Sequence, residues 1–267
     1  MNKKWTIFGW ASFSIAVICL LAFAANEQRN APVLKPVISI SIVDENAFLT
    51  VDELFTRLKR NNLVYDGQTM DQLNTTSIES FVHKMPEVES VDVFKRMGGN
   101  WSIRVKIREP YARIFNQFGE SFYVDSKGAT MNPSPNFTAR VLVFSGAISD
   151  RCDSLTVQEI INNDSLKSIR NLDEIYRISD YVCHDPFLRA QISQVHRDKW
   201  GDFLLIPQVG GHVVVFGSAY SDNEVAEKMK KLKLFYQEGL PFEGWNVYEE
   251  INLKYRNQIV CKKKKIE

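Results

Sequence analysis

The longest apolar run in the chain is residues 5–25, WTIFGWASFSIAVICLLAFAA, which holds no charged residue. At ~1.5 Å per residue it predicts a helix of roughly 31 Å, matching a hydrocarbon core of about 30 Å. Lipid offers no partner to an open N–H or C=O, so a spanning run has to be helical. Lys3 and Lys4 precede it and Asn26-Glu27-Gln28-Arg29 follow it. The positive-inside rule then places residues 1–4 as a cytoplasmic tail and exports the rest. A cleaved signal peptide is the competing reading, since Ala22-Phe23-Ala24-Ala25 offers small residues at a cleavage-like spacing. A signal's apolar region of ~7–15 residues is shorter than this one, which favours an anchor.

Past the anchor the period of the pattern shifts. Residues 26–36 are polar with prolines at 32 and 36, and predict a linker. Residues 37–43, VISISIV, alternate and predict a strand. Thr50-Val51-Asp52-Glu53 has the form of a capping box, followed by Leu54, Phe55 and Leu58 at helical spacing. Thr76-Ser77-Ile78-Glu79 has the same form, with Phe81, Val82 and Met85 on one face and Pro86 as the stop. Val91 and Val93, a Gly98-Gly99-Asn100 turn, and alternating Trp101, Ile103, Val105 and Ile107 predict a hairpin. The result is a β-α-α-β-β unit over residues 37–109.

From residue 110 to 260 the pattern predicts a mainly antiparallel β domain with a helical insertion and a C-terminal helix-strand. Strands are expected at 112–118, 121–125, 139–144, 190–196, 203–206 and 212–216. Thr156 and Glu159 open helical periodicity that continues through Leu172, Ile175, Ile178 and Val182. Ser221 and Glu224 open a helix that Gly239 is expected to close. Residues 246–260 read as one last strand, and 261–267 as a basic tail. The fold class is α+β.

Composition narrows the function. The net charge is +1, which excludes a broad nucleic-acid surface. Hydrophobic content of 45% is enough to core the exported part. The four cysteines are Cys19, Cys152, Cys183 and Cys261. Cys19 lies in the anchor and Cys261 near the end. Cys152 and Cys183 form the candidate disulfide in an oxidising compartment. Their spacings and the four scattered histidines have no metal-ligand pattern, and no metal or cofactor is expected. Asp125-Ser126, His184-Asp185 and His196–Asp198 supply the letters of a triad without a nucleophile elbow, and turn chemistry accounts for Asp125–Gly128. His residues read as surface or helix-terminal. No catalytic residue is assigned.

The middle of the chain carries a resemblance. Val91-Asp92-Val93, Arg96, Trp101-Ser102-Ile103-Arg104-Val105 and Arg108-Glu109-Pro110-Tyr111-Ala112-Arg113 resemble the interdomain junction of the FtsQ/DivIB cell-division proteins. Phe122-Tyr123-Val124-Asp125-Ser126-Lys127-Gly128 resembles the family's turn. Asn136-Phe137-Thr138-Ala139-Arg140-Val141, ending in Phe144-Ser145-Gly146, is similar to its Bacteroidetes-type members. The Arg108-Glu109-Pro110 order departs from the family's usual junction, so no role is carried onto it. The resemblance implies a POTRA domain beside the membrane and a distal β domain. It implies a non-enzymatic inner-membrane scaffold at the division septum, with FtsB/DivIC-like and FtsL-like partners and the septal peptidoglycan synthase complex. A membrane-anchored POTRA-type assembly or secretion factor is the alternative.

The last predicted strand is a natural sheet edge, and edges pair with foreign strands. Its partner-binding residues are expected to be Ile251, Asn252, Leu253, Lys254, Tyr255, Arg256, Asn257 and Gln258. By the resemblance, Leu253-Lys254-Tyr255 is where an FtsB-type partner adds a strand. Lys254 and Arg256 call for an acidic partner segment.

Overall fold

The computed structural model describes residues 3–42, 48–134, 137–153 and 155–264. Met1 and Asn2 of the expected tail, Val43 of the first expected strand, Asn136 and residues 265–267 lie outside them. The chain divides into two compact units, Met1–Ile107 and Arg108–Glu267.

In the first unit, helix α1 (Lys3–Asn30) contains the apolar run and continues beyond it. Phe8, Trp10, Phe13, Leu20, Leu21 and Phe23 are all exposed around its circumference. A helix apolar on every side has no solvated face and calls for a lipid surround. The segment expected to be a linker is instead helical to Asn30 and then bound to the folded unit. Met70 N donates to Ala31 O, Val33 N to Gln68 O and Leu34 N to Gly99 O. Backbone groups that would be solvated in a free linker are paired here, and Trp101 Nε1 adds a bond to Leu34 O at 2.8 Å.

Strand β1 (Val37–Ser41), helices α2 (Val51–Arg60) and α3 (Thr75–His83), and strands β2 (Val88–Lys95) and β3 (Trp101–Ile107) complete this unit. The sheet order is β1-β3-β2, with β1 parallel and β2 antiparallel to β3. The central strand contributes Trp101, Ile103, Val105 and Ile107 to the buried residues of this unit, as α2 contributes Leu54 and Leu58 and α3 contributes Ile78 and Val82. Thr50 caps α2 by accepting from Glu53 N, while the Glu53 carboxylate turns to Arg57 instead of closing the box. The cap of α3 is Asn74, two residues before the expected Thr76. Glu79 is thereby freed to accept from Val93 N of β2 at 2.8 Å, which satisfies a donor that an edge strand would leave open.

Among the described residues the second unit is built on nine strands: β4 (Pro110–Phe115), β5 (Ser121–Asp125), β6 (Thr130–Met131), β7 (Leu142–Gly146), β8 (Ile192–Arg197), β9 (Phe203–Pro207), β10 (Val213–Gly217), β11 (Tyr248–Asn252) and β12 (Val260–Lys263). Their order is β12-β11-β10-β9-β8-β7-β4-β5-β6. Three neighbouring pairs, β4·β7, β7·β8 and β10·β11, are parallel, so the sheet is mixed. Parallel neighbours need a long crossover, and two of these crossovers explain the helices. Helices α4 (Val157–Ile161), α5 (Asp164–Lys167), α6 (Leu172–His184) and α7 (Pro186–Gln191) carry the chain from β7 to β8. Helix α8 (Asp222–Leu234), a π-helical turn (Phe235–Gly239) and α9 (Leu240–Glu243) carry it from β10 to β11. The expected insertion is thus a crossover.

These helices cover one face. Ile114, Phe122, Phe144, Val195, Phe203, Leu205, Val214 and Ile251 meet Ile175, Ile178, Val225, Met229 and Leu232 in one core. By strand alternation the opposite face carries Arg113, Ser145, His196, Leu204 and Asn252, all half-buried. Thr156 and Glu159 form a complete capping box, and Ser221 caps α8. Gly239 does not end that helix. The chain passes through the π turn, and Gly244, at φ 102°, is the stop.

Two further expectations change. Cys152 and Cys183 are not joined. Cys152 Sγ lies 3.7 Å from Thr130 Oγ1 on β6, and Cys183 Sγ lies 3.7 Å from Tyr111 O on β4. Those strands are two places apart in the sheet, a spacing of about 10 Å, which exceeds what a disulfide bridges. His212 is buried, 3% exposed, with Nε2 2.9 Å from the Tyr236 hydroxyl.

Candidate docking edge

An open sheet has two edges, here β6 and β12. At β6 the following chain folds back over the strand. Thr130 Oγ1 donates to Asp153 O at 2.6 Å, and Val157 N donates to Gly128 O at 2.9 Å. That return is held from beneath by Asp150, fully buried, which accepts from Arg170 Nε at 2.6 Å and Asn171 N at 2.8 Å. The turn before β6 is fixed in the same manner. Asp125 accepts from the N–H groups of Lys127 and Ala129 and pairs with Arg108 at 2.6 Å. The carboxylate that could have served a triad is therefore spent on the turn and on seating the start of β4.

Strand β12 is different. It pairs antiparallel with β11, with partners Ile251↔Cys261 and Asn252↔Val260, and forms the end of the sheet. Lys264 N donates inward to Val247 O at 2.9 Å. By antiparallel alternation the backbone groups of Cys261 and Lys263 turn away from β11. Val260, Lys262 and Lys263 are exposed, while Cys261 packs against the core and its thiol is pushed up by burial. Lys262 pairs with Glu249 at 3.0 Å and Lys263 with Glu243 at 3.3 Å. Exposed pairs of this kind are weak and leave the cations available to an incoming carboxylate.

The residues expected to form the edge are divided by the structure. Residues 246–260 do not form one strand: β11 ends at Asn252, and a turn separates it from β12. Ile251 and Leu253 are fully buried, and Leu253 N donates to Val215 O, so both belong to the interior. Asn252 is half-buried and caps the turn by accepting from Lys254 N. Lys254, Tyr255, Arg256, Asn257 and Gln258 form the exposed turn. Asn257 takes φ 58°, a left-handed position that asparagine tolerates better than most residues. Lys231 reaches under the turn to the carbonyls of Leu253 and Tyr255, and partial burial holds its ammonium below the usual lysine range. Lys254 pairs with Asp202 at 2.5 Å, and that hydrogen bond raises its pKa.

The break was visible in the alternation. Ile251, Leu253, Tyr255 and Ile259 skip position 257, and Tyr255-Arg256-Asn257-Gln258 is a polar run with a turn former in it. The edge itself, Val260–Lys263, was hidden because its lysines resemble a solvated tail.

The family model described as FtsQ/DivIB, C-terminal related, matches residues 109–262, which takes in nearly all of the nine-stranded unit. The model described as POTRA-like domain matches residues 36–106, the β1 to β3 unit. The chain is 26% identical over 225 residues to the cell division protein FtsQ of Geotalea daltonii, covering 80% of this chain and 74% of that protein. With its C-terminal unit matched almost from end to end, this chain belongs to the FtsQ/DivIB family of cell-division proteins.

Proposed function

We propose that this protein is a single-pass inner-membrane scaffold of the bacterial division machinery, without catalytic activity, that binds a partner by strand addition at β12. Its N-terminus is cytoplasmic and both folded units are periplasmic, gathered at the division septum. Its partners are FtsB/DivIC-like and FtsL-like division proteins, and through them the septal peptidoglycan synthase complex.

The observation that carries the reading is the exposed β12 edge, with Lys262, Lys263 and Lys264 along it and Lys254–Gln258 beside it. An added strand would satisfy the outward backbone groups of Cys261 and Lys263, and acidic side chains on it would meet the lysines. Proline at Lys254 or Arg256 would alter only the turn. Proline at Lys263 removes an outward N–H, because proline has none.

The test is binding of the cell's own FtsB/DivIC-like protein to the full chain in nanodiscs. Lys263→Pro is expected to weaken binding at least about tenfold, the scale of one lost backbone bond in an interface, with its thermal unfolding little changed. Wild-type affinity in that folded variant would place the site elsewhere. A fluorescent fusion of the full chain should gather at mid-cell, and even distribution along the envelope would contradict a septal scaffold.

A further inference from the structure

We propose that the tip of the β2–β3 hairpin, residues 96–100, is a second membrane contact that rests on the phospholipid headgroups beside α1. This rests on the reading of α1 as a membrane span.

The placement follows from one side chain. Gln28 Nε2 donates to Arg96 O at 2.7 Å, and Gly98 N donates to Gln28 Oε1 at 2.8 Å. Both ends of the amide are therefore bonded to the hairpin tip. Gln28 lies three residues beyond Ala25, where the apolar run ends, a rise of about 4.5 Å. The headgroup layer is about 5–7 Å deep on each side of the hydrocarbon. A tip bonded to Gln28 is thus held within that layer.

The tip is built to keep its shape. Arg96 N donates to Asn100 O at 2.8 Å, and Asn100 Nδ2 donates to Met97 O at 3.0 Å. Gly98 and Gly99 take φ 69° and 78°. A Cβ on Gly99 would lie 2.2 Å from Pro32 O, so the bare backbone is what lets the tip close on the segment leaving the helix. Met97 stands at the end of this turn, 83% exposed. Phe94 and Leu34 are also exposed nearby in the same structure. A large unbranched apolar side chain at this place, next to the end of a spanning helix, is at home at a lipid interface. Arg29, Lys95 and Arg96 outnumber Glu27 and Asp71 around it, and all five are exposed. Lys95 is engaged with Met70 O at 2.5 Å, which leaves Arg29 and Arg96 as the residues placed for phosphate.

The occupant is therefore a lipid surface carrying anionic phosphate. A second contact beside the span fixes the orientation of the first unit against the bilayer, which a single helix alone would let swivel.

The experiment uses the full chain in nanodiscs of phosphatidylcholine, with and without phosphatidylglycerol. A photo-crosslinking residue is placed at Met97 or, as the control, at Lys106, which is exposed near the opposite end of β3. Lipid adducts are read by mass spectrometry. The expected yield at position 97 is at least about tenfold that at 106, because the headgroup layer is only about 5–7 Å deep. Arg96→Glu should lower the yield about fivefold where phosphatidylglycerol is present and less in phosphatidylcholine alone. Gln28→Ala, which releases the tip, should lower it in both. Equal yields at 97 and 106 in a chain that enters the nanodisc would overturn the tip contact and leave the span intact. A chain that does not enter would overturn both.

Discussion

At one margin of the nine-stranded sheet, β6 offers Thr130 and Met131, and the chain around Asp153 and Val157 closes over them. At the other, β12 offers Val260–Lys263 with exposed lysines and an exposed turn alongside. Both are edges by topology, and both would template a foreign strand if left alone. One is made unavailable by a buried ion pair and a glycine. The other is guarded only by charge, which repels like copies and attracts an acidic strand. Where a sheet is covered, rather than where it ends, decides which edge can serve as a binding site.

The largest expected effect comes from undoing the cover. Asp150→Ala removes a fully buried carboxylate and leaves Arg170, 15% exposed, without its main partner. Breaking a buried pair from one side costs about 3 kcal/mol, read as a lower urea midpoint for the second unit. The variant should also self-associate through the uncovered β6 edge. A change below about 1 kcal/mol, the range of a surface pair, would mean that the cover is held by something else.

Next is Gly128, at φ 74°, whose added Cβ would stand 2.7 Å from Val157 Cβ. Gly128→Ala combines left-handed strain with a clash and should cost about 2 kcal/mol. Partner binding at β12 should be unchanged. Loss of binding in this variant would couple the two edges and blur the contrast between them.

A smaller effect is expected from acid, on the β12 side. Burial pushes His212 below the usual histidine range, the nearby Trp245 carbonyl opposes that, and Lys264 adds to the depression. The ring faces the Tyr236 hydroxyl of the π turn. Because the folded pKa is depressed, the unfolded chain binds the proton first. Stability is then complete above the unfolded value near 6.5 and falls as pH drops below it. Denaturation midpoints between pH 7.5 and 5.5 should decline, and His212→Gln should flatten that decline. An unchanged slope in the variant would assign the acid sensitivity to carboxylates instead.

The smallest effect belongs to Lys254→Ala. Its exposed pair with Asp202 contributes no more than about 1 kcal/mol. Binding should weaken only slightly if the ladder at β12 carries the interface. A large loss would move the site from the strand to the turn.

Much of this architecture can be read in the sequence because local signals and tertiary structure agree there. The apolar run of α1, the Trp101–Ile107 alternation and the Thr156 capping box each specify one element by their own chemistry. The misreadings and the open details share a physical cause. The parallel pairing of β7 with β8, inside a sheet that is mainly antiparallel as expected, is a detail the pattern leaves open, because it is set by where the crossover helices land. Asn74 takes the place of Thr76 as a cap, and Glu79 bonds to Val93 across the unit, a tertiary partner that the local pattern does not show. The burial of His212 depends on a π turn that brings Tyr236 over it. The sheet edge was placed one turn too early, because a buried Leu253 and an exposed Tyr255 look alike in a pattern of apolar letters.

Amide hydrogen exchange of the full chain, with and without its FtsB/DivIC-like partner, tests the central claim most directly. Strand addition at β12 predicts slowed exchange at Cys261 and Lys263, whose N–H groups face outward, with Thr130 and Met131 of β6 unaffected. Saturating partner that leaves residues 260–263 exchanging at the free rate, or that protects β6 instead, would contradict it.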